Sequence, residues 1–410
     1  MSTVKIGLIG LGCVGQGLYQ LIQGVGYRNA EIKKIAIKNK DKARIVSPEL
    51  LTFNVDDILY DDEITIIVEA IDDAKEAYEI ARKVLVQGKS FISANKKMVA
   101  ENLEELTSLA QLNNAVFRYE SAVCGAIPVV QTIDNYFSFE PIHQLRGIFN
   151  GTSNYILSKI FNENLSYKIA LKQAQELGFA ETDPTSDVGG FDPKYKLVIL
   201  ALHAYGLFLH PDDVFNYGIE YITAEDIAYA KEKQLKIKLT PTIYHQDHKI
   251  AGFVLPEFIQ ENDRLYGVEN EFNGVNIEGG YAGNQFLYGR GAGAFPTATA
   301  VLSDLHQALE NRNYQIPKRD ASYELIDDSQ VFLEVYARYK DENVRKTLAF
   351  ESVSEGLITP EDEQITGYIS LKKLKEIQHV LRQKKVSIIA TGKRKIRIPA
   401  SQYHIKSEAV

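Results

Sequence analysis

A glycine-rich turn close to the amino terminus constrains the fold of this chain more than any other feature. Val4–Ile9 is a short apolar run with the length and composition of a buried strand. The motif G-x-G-x-x-G follows at once, and apolar residues at helical spacing come next, namely Leu18, Leu21 and Ile22. A strand, this turn and a helix in that order are typical of a dinucleotide-binding unit.

Each glycine of the turn has its own physical role. Gly10 permits the tight turn, Gly12 lets the backbone approach a pyrophosphate, and Gly15 lets the helix pack against the strand. The amino terminus of the helix then offers free N–H groups to phosphate. The predicted cofactor-binding residues of this turn are Gly10, Leu11, Gly12, Cys13, Val14 and Gly15. A glycine-rich turn without a ligand is the alternative.

Strands and helices alternate through the next hundred residues. The predicted strands are Glu31–Ile37, Ile64–Ala70, Ser90–Ser93 and Ala115–Tyr119, and the predicted helices are Lys75–Val86 and Asn102–Leu112. Alternation of this kind indicates a parallel sheet covered on both faces. We therefore predict the α/β class, with a Rossmann-type dinucleotide-binding domain.

The end of the second predicted strand bears on the choice between NAD and NADP. NAD-binding units often carry an acidic residue about twenty positions after the glycines. Here the strand ends in Lys38-Asn39-Lys40, without a carboxylate. Lys38 can meet a 2′-phosphate, which favours NADP without excluding NAD. A solvated basic turn is the other interpretation.

Composition and charge exclude several classes of function. The formal net charge of −8 gives no electrostatic footprint for nucleic acid. Only two cysteines occur, Cys13 and Cys124, so a disulfide framework is excluded and a reducing, cytoplasmic location is expected. The longest strongly apolar stretch, from Leu197 to Leu209, is too short to span a bilayer. We expect a small-molecule substrate and neither a nucleic acid nor a membrane as partner.

Four later segments are rich in Gly, Asn, Asp and Lys where a core would be apolar. They are 93–97, 150–155, 180–196 and 289–298. In this order and at these separations they resemble the signatures of the homoserine dehydrogenase family, over roughly residues 1–310. The resemblance implies an NAD(P)-dependent oxidoreductase acting on a CH–OH group. Its reaction would interconvert L-homoserine and L-aspartate 4-semialdehyde, in the synthesis of threonine and methionine.

Two other functions stay open at this point. One is another two-domain NAD(P)-dependent amino-acid dehydrogenase, which would not need both Glu181 and the pair of Asp192 and Lys196 at this spacing. The other is a cofactor-binding sensor without turnover.

The third segment contains a carboxylate and a lysine four residues apart. Asp192-Pro193 is predicted to be a helix N-cap followed by proline at the first helical position. Lys196 then lies one turn into the helix, on the same face as Asp192. A lysine held by a carboxylate beside a nicotinamide suits proton transfer to or from a carbonyl oxygen. We predict Lys196 as the proton donor and Asp192 as the residue that orients it; a surface ion pair is the alternative.

The resemblance also implies how the substrate is held. Glu181 and Asp187 would bind its α-amino group, which agrees with the preference of an ammonium for carboxylates. Gly151 and Thr152 open a predicted helix whose free N–H groups suit the substrate carboxylate. A simple helix cap is the alternative for this second pair.

Further cofactor contacts are expected from the first and the last segment. Ser93 ends a predicted strand and Lys96 follows it, at the carboxyl edge of the predicted sheet, where ligands bind in open α/β folds. Gly291 is assigned to the cofactor by its place in the last segment. The chain departs from the family at Asp72 and Asp73, where the family usually has two glycines.

Residues 119–128 resemble the monovalent-cation loop of the family. The resemblance implies sodium or potassium bound by Glu120 and by the carbonyl oxygens of Val123, Gly125 and Ile127. Oxygen-only coordination suits a hard cation. A purely structural acid is the alternative for Glu120, and Cys124 is predicted to be a small buried residue rather than a nucleophile.

The composition changes at about residue 321. The predicted elements that follow are the strand Gln330–Tyr339, the helix Glu342–Phe350, the strand Gln364–Leu371, a basic helix over 371–384 and the strand Val386–Ala390. Their order resembles the regulatory ACT module and implies a small ferredoxin-like region. A packing or dimerising role is at least as well supported as amino-acid binding, because Lys340–Asn343 replaces the usual Asp and Gly turn.

Three domains are therefore expected. The dinucleotide-binding domain covers 1–130 and is completed by 289–315, an α+β domain for substrate binding and dimerisation covers 131–288, and the ACT-like domain covers 321–410. The β-rich stretches 234–255 and 273–277 favour a homodimer or homotetramer that pairs sheets across a two-fold axis.

Overall fold

Six parallel strands form the first sheet. The structure is a computed structural model that describes residues 3–24, 30–39, 44–316, 323–359 and 362–397. The strands are β1 (Val4–Ile9), β2 (Ala30–Ala36), β3 (Leu51–Thr52), β4 (Ile64–Glu69), β5 (Ser90–Ser93) and β6 (Phe117–Arg118). Their order is β3-β2-β1-β4-β5-β6, which is that of a doubly wound dinucleotide-binding sheet. The predicted α/β class is confirmed, although β3 was not predicted.

Eleven α-helices precede the carboxyl-terminal region in the described residues. They are α1 (Cys13–Gly24), α2 (Asp56–Leu59), α3 (Ala74–Val86), α4 (Lys96–Leu112), α5 (Val129–Asn135), α6 (Gly151–Glu163), α7 (Tyr167–Glu176), α8 (Thr185–Val188), α9 (Phe191–Tyr205), α10 (Ala224–Glu232) and α11 (Ala294–Leu309). Helix α4 begins six residues earlier than predicted, because Asn95 caps it by accepting the Met98 N–H. The helix is kinked at Asn102, where φ is −131°.

Helix α11, which follows β12 in the sequence, packs on the unit that contains the first sheet. It packs against α1, where a Cβ on Gly17 would lie 2.6 Å from the carbonyl oxygen of Ala294. Leu18 of α1 and Val301 of α11 belong to the same apolar core as β1. A buried ion pair between Arg118 and Asp304, 2.9 Å apart, ties α11 to β6. The dinucleotide-binding unit is therefore built from both ends of the first 310 residues.

A mixed sheet forms the rest of the protein. Its first strands are β7 (Ile142–Ile148), β8 (Phe215–Asn216), β9 (Lys236–Gln246), β10 (Lys249–Ile259), β11 (Phe272–Gly279) and β12 (Gly283–Arg290). Strands β12, β11, β7, β9 and β10 lie side by side in that order and pair antiparallel, and β8 adds to β10 in parallel. Helix α9 packs against this sheet, and its residues Leu197 to Leu202 are fully buried.

The carboxyl-terminal region continues the mixed sheet. Its elements are β13 (Glu324–Leu325), β14 (Val331–Tyr339), α12 (Asn343–Leu348), β15 (Ser352–Ile358), β16 (Glu363–Ser370), α13 (Leu371–Gln383) and β17 (Ser387–Ile396). From β14 onward the order β-α-β-β-α-β, with strands arranged β17-β14-β16-β15, is ferredoxin-like. Strand β15 was not predicted, because it is an exposed edge strand with little apolar alternation. The composition change at residue 321 lies outside the described residues.

No helix in the described parts of the chain combines the length and the apolar composition needed to cross a membrane.

Candidate active site

The glycine-rich turn between β1 and α1 has the shape of a dinucleotide cradle. Gly10 adopts a φ of +97°, and a Cβ there would lie 2.4 Å from the carbonyl oxygen of Ala70. A Cβ on Gly15 would lie 2.2 Å from the carbonyl oxygen of Gly10, so the helix can approach the strand only without a side chain. Gly12 has no neighbouring atom within 4 Å of its Cβ position, which leaves room for a pyrophosphate. Cys13 is exposed at the first position of α1, whereas Leu11 is buried. These features fit a bound dinucleotide.

A cleft of about 500 Å³ opens at the carboxyl ends of β4 and β5. One wall, the strand-end wall, consists of Ile71, Asp72 and 94–97. The facing wall contains Glu181, Asp187 and neighbouring residues up to Tyr195. The carboxyl edge of a parallel sheet is where open α/β folds bind ligands.

One buried carboxylate, that of Asp192, joins two lysines behind this cleft. The Nζ of Lys196 donates to Asp192 Oδ2 at 2.8 Å and to the carbonyl oxygen of Phe149 at 2.6 Å. The Nζ of Lys96 lies 2.7 Å from the other oxygen, Oδ1. The Lys96 side chain is 41% exposed and lines the cleft, whereas that of Lys196 is 9% exposed. The structure thus brings together Asp192, Lys196 and Lys96.

The electrostatics of this cluster favour the ionised form of Asp192. Burial alone raises the pKa of Asp192, but the positive charges and hydrogen bonds of Lys196 and Lys96 outweigh burial and hold that pKa well below its ordinary value. The charge of Asp192 in turn raises the pKa of Lys96. Burial and the nearby charge of Asp192 raise the pKa of Asp187. A cationic ligand beside Asp187 would lower that pKa again, because its positive charge stabilises the carboxylate.

The prediction that Asp192 is a helix N-cap is wrong. Helix α9 begins at Phe191, because Gly190 takes a left-handed φ of +80° and serves as the N-cap. Asp192 lies inside the first turn, and its carboxylate accepts from side chains instead of capping the backbone. The i,i+4 relation between Asp192 and Lys196 holds as expected.

Asn150 is a site residue that the sequence reasoning missed. Its Nδ2 donates to Asp187 Oδ1 at 2.7 Å and to Asp192 Oδ2 at 2.9 Å, and its Oδ1 accepts the N–H of Ser153. One side chain therefore caps α6 and fixes two of the acids. Its place directly before Gly151, at a helix start, was the available signal.

The residues assigned to the substrate surround this cluster. Gly151 begins α6, and a Cβ there would lie 2.6 Å from the carbonyl oxygen of Glu271. The Thr152 hydroxyl donates to the carbonyl oxygen of Phe179 at 2.6 Å, which fixes its side chain within the protein. Glu181 is exposed and lines the cleft together with Asp187.

Ser93 lies beside the cleft and is bound to a second acid that the sequence reasoning missed. The Ser93 hydroxyl donates to Glu69 Oε2 at 2.5 Å, and the backbone N–H of Ile71 donates to Glu69 Oε1 at 2.6 Å. Burial raises the pKa of Glu69 to about 7. Glu69 therefore fixes the ends of β4 and β5, which form one wall of the cleft.

Comparison with known proteins assigns the chain to a family. The profile described as "Homoserine dehydrogenase, NAD binding domain" matches residues 10–120, and the profile described as "Homoserine dehydrogenase" matches residues 128–306. The homoserine dehydrogenase of Bacillus subtilis is 36% identical over 321 residues, which cover 76% of this chain and 74% of that protein. The chain belongs to the homoserine dehydrogenase family. Members of the family are NAD(P)-dependent oxidoreductases, and this decides against the two alternatives that the sequence left open.

Solved homoserine dehydrogenase structures share the architecture. The enzyme from Thiobacillus denitrificans is 29% identical, with a TM-score of 0.83 over 95% of this chain and 98% of that one. A hyperthermophilic archaeal homoserine dehydrogenase in complex with NADPH is 25% identical, with a TM-score of 0.66 over 77% of this chain and all of that one.

Two of the residues expected to bind the cofactor have protein partners in this structure. Lys38 follows β2, is largely exposed and forms an ion pair with Glu76 of α3. Gly291 packs tightly, because a Cβ there would lie 2.1 Å from the side-chain amide nitrogen of Asn273. A Cβ on Gly125 would in turn lie 2.6 Å from the backbone of Gly291.

The loop expected to bind a cation is buried and rich in backbone turns. The carboxylate of Glu120 accepts the N–H groups of Val130 at 3.0 Å and Gln131 at 2.7 Å. Burial, together with the charge of Asp304, raises the pKa of Glu120 to about 8. Cys124 is fully buried, as predicted, and burial raises the pKa of its thiol to about 12.

Proposed function

We propose that this cleft reduces L-aspartate 4-semialdehyde to L-homoserine and runs the reverse reaction, with Lys196 as the group that exchanges a proton with the substrate oxygen. The bound nicotinamide supplies the hydride in the first direction and accepts it in the second. The observation that carries the proposal is the buried Lys196 ammonium, held by Asp192 and Phe149 directly behind a cleft at the strand ends.

Lys196 is oriented for proton transfer by its two acceptors. An ammonium has three N–H donors, and the hydrogen bonds to Phe149 and Asp192 use two of them. We assign the third to the oxygen of the aldehyde, which gains the proton as the carbonyl becomes an alcohol. In the reverse direction the neutral amine takes that proton back.

Asp192 holds the Lys196 side chain in place through its hydrogen bond and stays ionised while the proton moves. Two ammonium groups and the Asn150 amide converge on its carboxylate, which holds its pKa well below its ordinary value. Lys96 touches the same carboxylate from the cleft side, and we assign it to contact both cofactor and substrate.

The two ends of the amino-acid substrate have separate partners in this proposal. Glu181 and Asp187 bind the α-ammonium, since both carboxylates line the cleft. The backbone N–H groups of Gly151 and Thr152, at the amino terminus of α6, bind the α-carboxylate. The Thr152 hydroxyl already donates to a carbonyl oxygen, so its backbone is the part assigned to the substrate.

NADP is the proposed cofactor, and NAD is a possible substitute. Lys38 follows β2 at the edge where the adenosine ribose binds in such folds. Its exposed ammonium can leave Glu76 and bind a 2′-phosphate instead. The archaeal relative that was solved with NADPH supports the same choice. Ser93 and Gly291 are proposed as further cofactor-binding residues.

We also propose a sodium or potassium ion in the loop from Glu120 to Ile127. The proposed ligands are Glu120 and the carbonyl oxygens of Val123, Gly125 and Ile127. The support is chemical, since all of these donors are oxygens and suit a hard monovalent cation. Turnover after exhaustive exchange into a tetramethylammonium buffer, with and without added potassium, tests the proposal.

The expected domains and assembly are proposals of the same kind. Helix α11 packs on α1, which supports a dinucleotide-binding domain of 1–130 completed by 289–315, followed by domains at 131–288 and 321–410. A homodimer or homotetramer is supported by the edge strand β12, whose Tyr288 is 54% exposed. Light scattering coupled to size exclusion measures the oligomeric state.

The function itself is tested with the purified protein and both candidate cofactors. Nicotinamide absorbance is followed with L-homoserine in one direction and L-aspartate 4-semialdehyde in the other. We expect reversible turnover with both substrates. Cofactor binding without turnover of either substrate would contradict the proposed function.

A further inference from the structure

We infer that Asp72 biases this cleft toward the oxidised cofactor, so that it binds NADP⁺ more tightly, relative to NADPH, than it would with an uncharged residue at this position. The inference rests on the proposed function in one respect, because it takes the nicotinamide to lie in the cleft beside Lys96 and Lys196.

Asp72 stands on the strand-end wall of the cleft. It comes three residues after the end of β4, and it lines the cleft together with Asn95 and Lys96, which follow β5. The Asn95 side chain donates to the carbonyl oxygen of Ile71 at 3.0 Å, which ties the two strand ends together. The backbone that carries Asp72 is therefore held in place at the wall that a nicotinamide would cover.

Asp72 supplies the carboxylate of this wall. The wall consists of Ile71, Asp72 and 94–97, all within the described residues, and it contains no other acid. The remaining acids of the cleft stand on the facing wall. Of these, Asp187 accepts a hydrogen bond from Asn150, and Asp183 accepts two from Thr185. Both Asp187 and Glu181 are assigned to the substrate ammonium. The charge of Asp72 can therefore act on the nicotinamide that would cover its own wall of the cleft.

A fixed negative charge at this place distinguishes the two redox forms of a nicotinamide. The oxidised ring carries a positive charge, and the reduced ring is neutral, whereas the phosphates and riboses are the same in both forms. Repulsion between Asp72 and the phosphates therefore cancels from the ratio of the two dissociation constants, and attraction to the ring does not. Asp72 is exposed, so an effect of about two- to fivefold on this ratio is expected, as for a solvated charge pair.

The neighbouring Asp73 provides a matched control. Its carboxylate caps α3 by accepting the N–H groups of Lys75 and Glu76, both at 3.0 Å, and it does not line the cleft. Asparagine caps a helix about as well as aspartate. Asp73→Asn therefore removes the same charge one residue away while it keeps the local structure.

The experiment measures the dissociation constants of NADP⁺ and NADPH for the wild-type protein, Asp72→Asn and Asp73→Asn. NADPH is titrated by its fluorescence, and NADP⁺ by displacement of NADPH. For Asp72→Asn we expect the ratio of the NADP⁺ constant to the NADPH constant to rise about two- to fivefold. For Asp73→Asn the rise should be less than half as large. Added salt should shrink the effect of Asp72→Asn, because it screens exposed charges.

Two results would overturn the inference: an unchanged ratio in Asp72→Asn, or an equal change in Asp73→Asn. Asp72→Ser is a second uncharged variant in case the first does not fold, and Asp72→Glu should keep the wild-type ratio. Failure of the wild-type protein to bind either form would refute the proposed function as well. Normal homoserine turnover with an unchanged ratio would refute the role of Asp72 alone.

Discussion

Replacement of Lys196 by methionine is the sharpest test of the proposed chemistry. Methionine keeps an unbranched apolar side chain of similar length, so the packing of α9 changes little. The substitution removes the donor to Phe149 and one of the two ammonium groups on Asp192. Asp192 keeps Lys96 and the Asn150 amide as partners, so its buried charge is not left alone. The fold should therefore survive, and the change should fall on catalysis.

The expected size of the effect follows from the role assigned to Lys196. A positioned general acid or base contributes roughly 10²–10⁴-fold to turnover. At about 1.4 kcal/mol per factor of ten, that is about 3–6 kcal/mol of transition-state stabilisation. The loss should appear in kcat in both directions, whereas the dissociation constant for the cofactor should stay within about twofold, because Lys196 lies behind the cleft rather than in its wall.

Lys96→Met is the matched comparison, since Lys96 holds the other oxygen of the same carboxylate. Its side chain lines the cleft, so its loss should raise KM and the cofactor dissociation constant more than it lowers kcat. Stopped-flow and steady-state rates in both directions, with melting temperatures, separate the two variants. If Lys196→Met kept more than about a tenth of wild-type turnover, or if Lys96→Met lost more kcat than Lys196→Met, the assignment of the proton donor would be wrong.

Further predictions concern the substrate, the cofactor and pH. Glu181→Gln should raise KM for homoserine about tenfold or more while KM for the cofactor changes little, and an equal rise in both constants would point to another role. Lys38→Ala should weaken NADP binding up to about fivefold and leave NAD binding nearly unchanged, as measured by fluorescence titration. Homoserine oxidation should gain on aldehyde reduction as the pH rises, because Lys196 accepts a proton in the first reaction and donates one in the second, and a ratio of the two rates that stays constant with pH would contradict this role. Burial lowers the pKa of His203, so in acid the unfolded chain binds a proton that the folded chain does not. As the pH is lowered past about 6.5, the denaturant concentration at the unfolding midpoint should therefore decrease less steeply in His203→Gln than in the wild-type protein.

Local sequence signals were sufficient for β1 and for the glycine-rich turn that follows it. The strand β1 was predicted with its observed bounds, and the glycines of the following turn have the backbone and spacing that the motif requires. These features depend on neighbours within a few residues, so they can be read from the chain directly. The short strand β3 escaped prediction because two residues carry no periodicity.

Features that depend on distant partners were harder to predict. Gly190, and not Asp192, caps α9. The carboxylate of Asp192 instead binds Lys96, which lies almost a hundred residues earlier, and Asn150, which precedes another helix. Neither partner is visible in the sequence around Asp192. The same holds for Glu69, whose bond to Ser93 joins two strands that are separated by a whole helix. The residue types of the site could be inferred, but not the network that orients them.

The return of α11 to the first sheet has a consequence for the chain during its synthesis. Until α11 emerges from the ribosome, the face of α1 around Leu18 and Ile22 lacks the residues that cover it in the native protein, such as Val301 and Leu305. At the roughly 5–20 residues per second of translation, this interval is on the order of tens of seconds. During that time the nascent dinucleotide-binding half exposes an apolar surface suited to chaperone capture. Helix α11 follows α9, which carries the proposed proton donor Lys196, so the first sheet is fully covered only after the residues proposed for catalysis have been made.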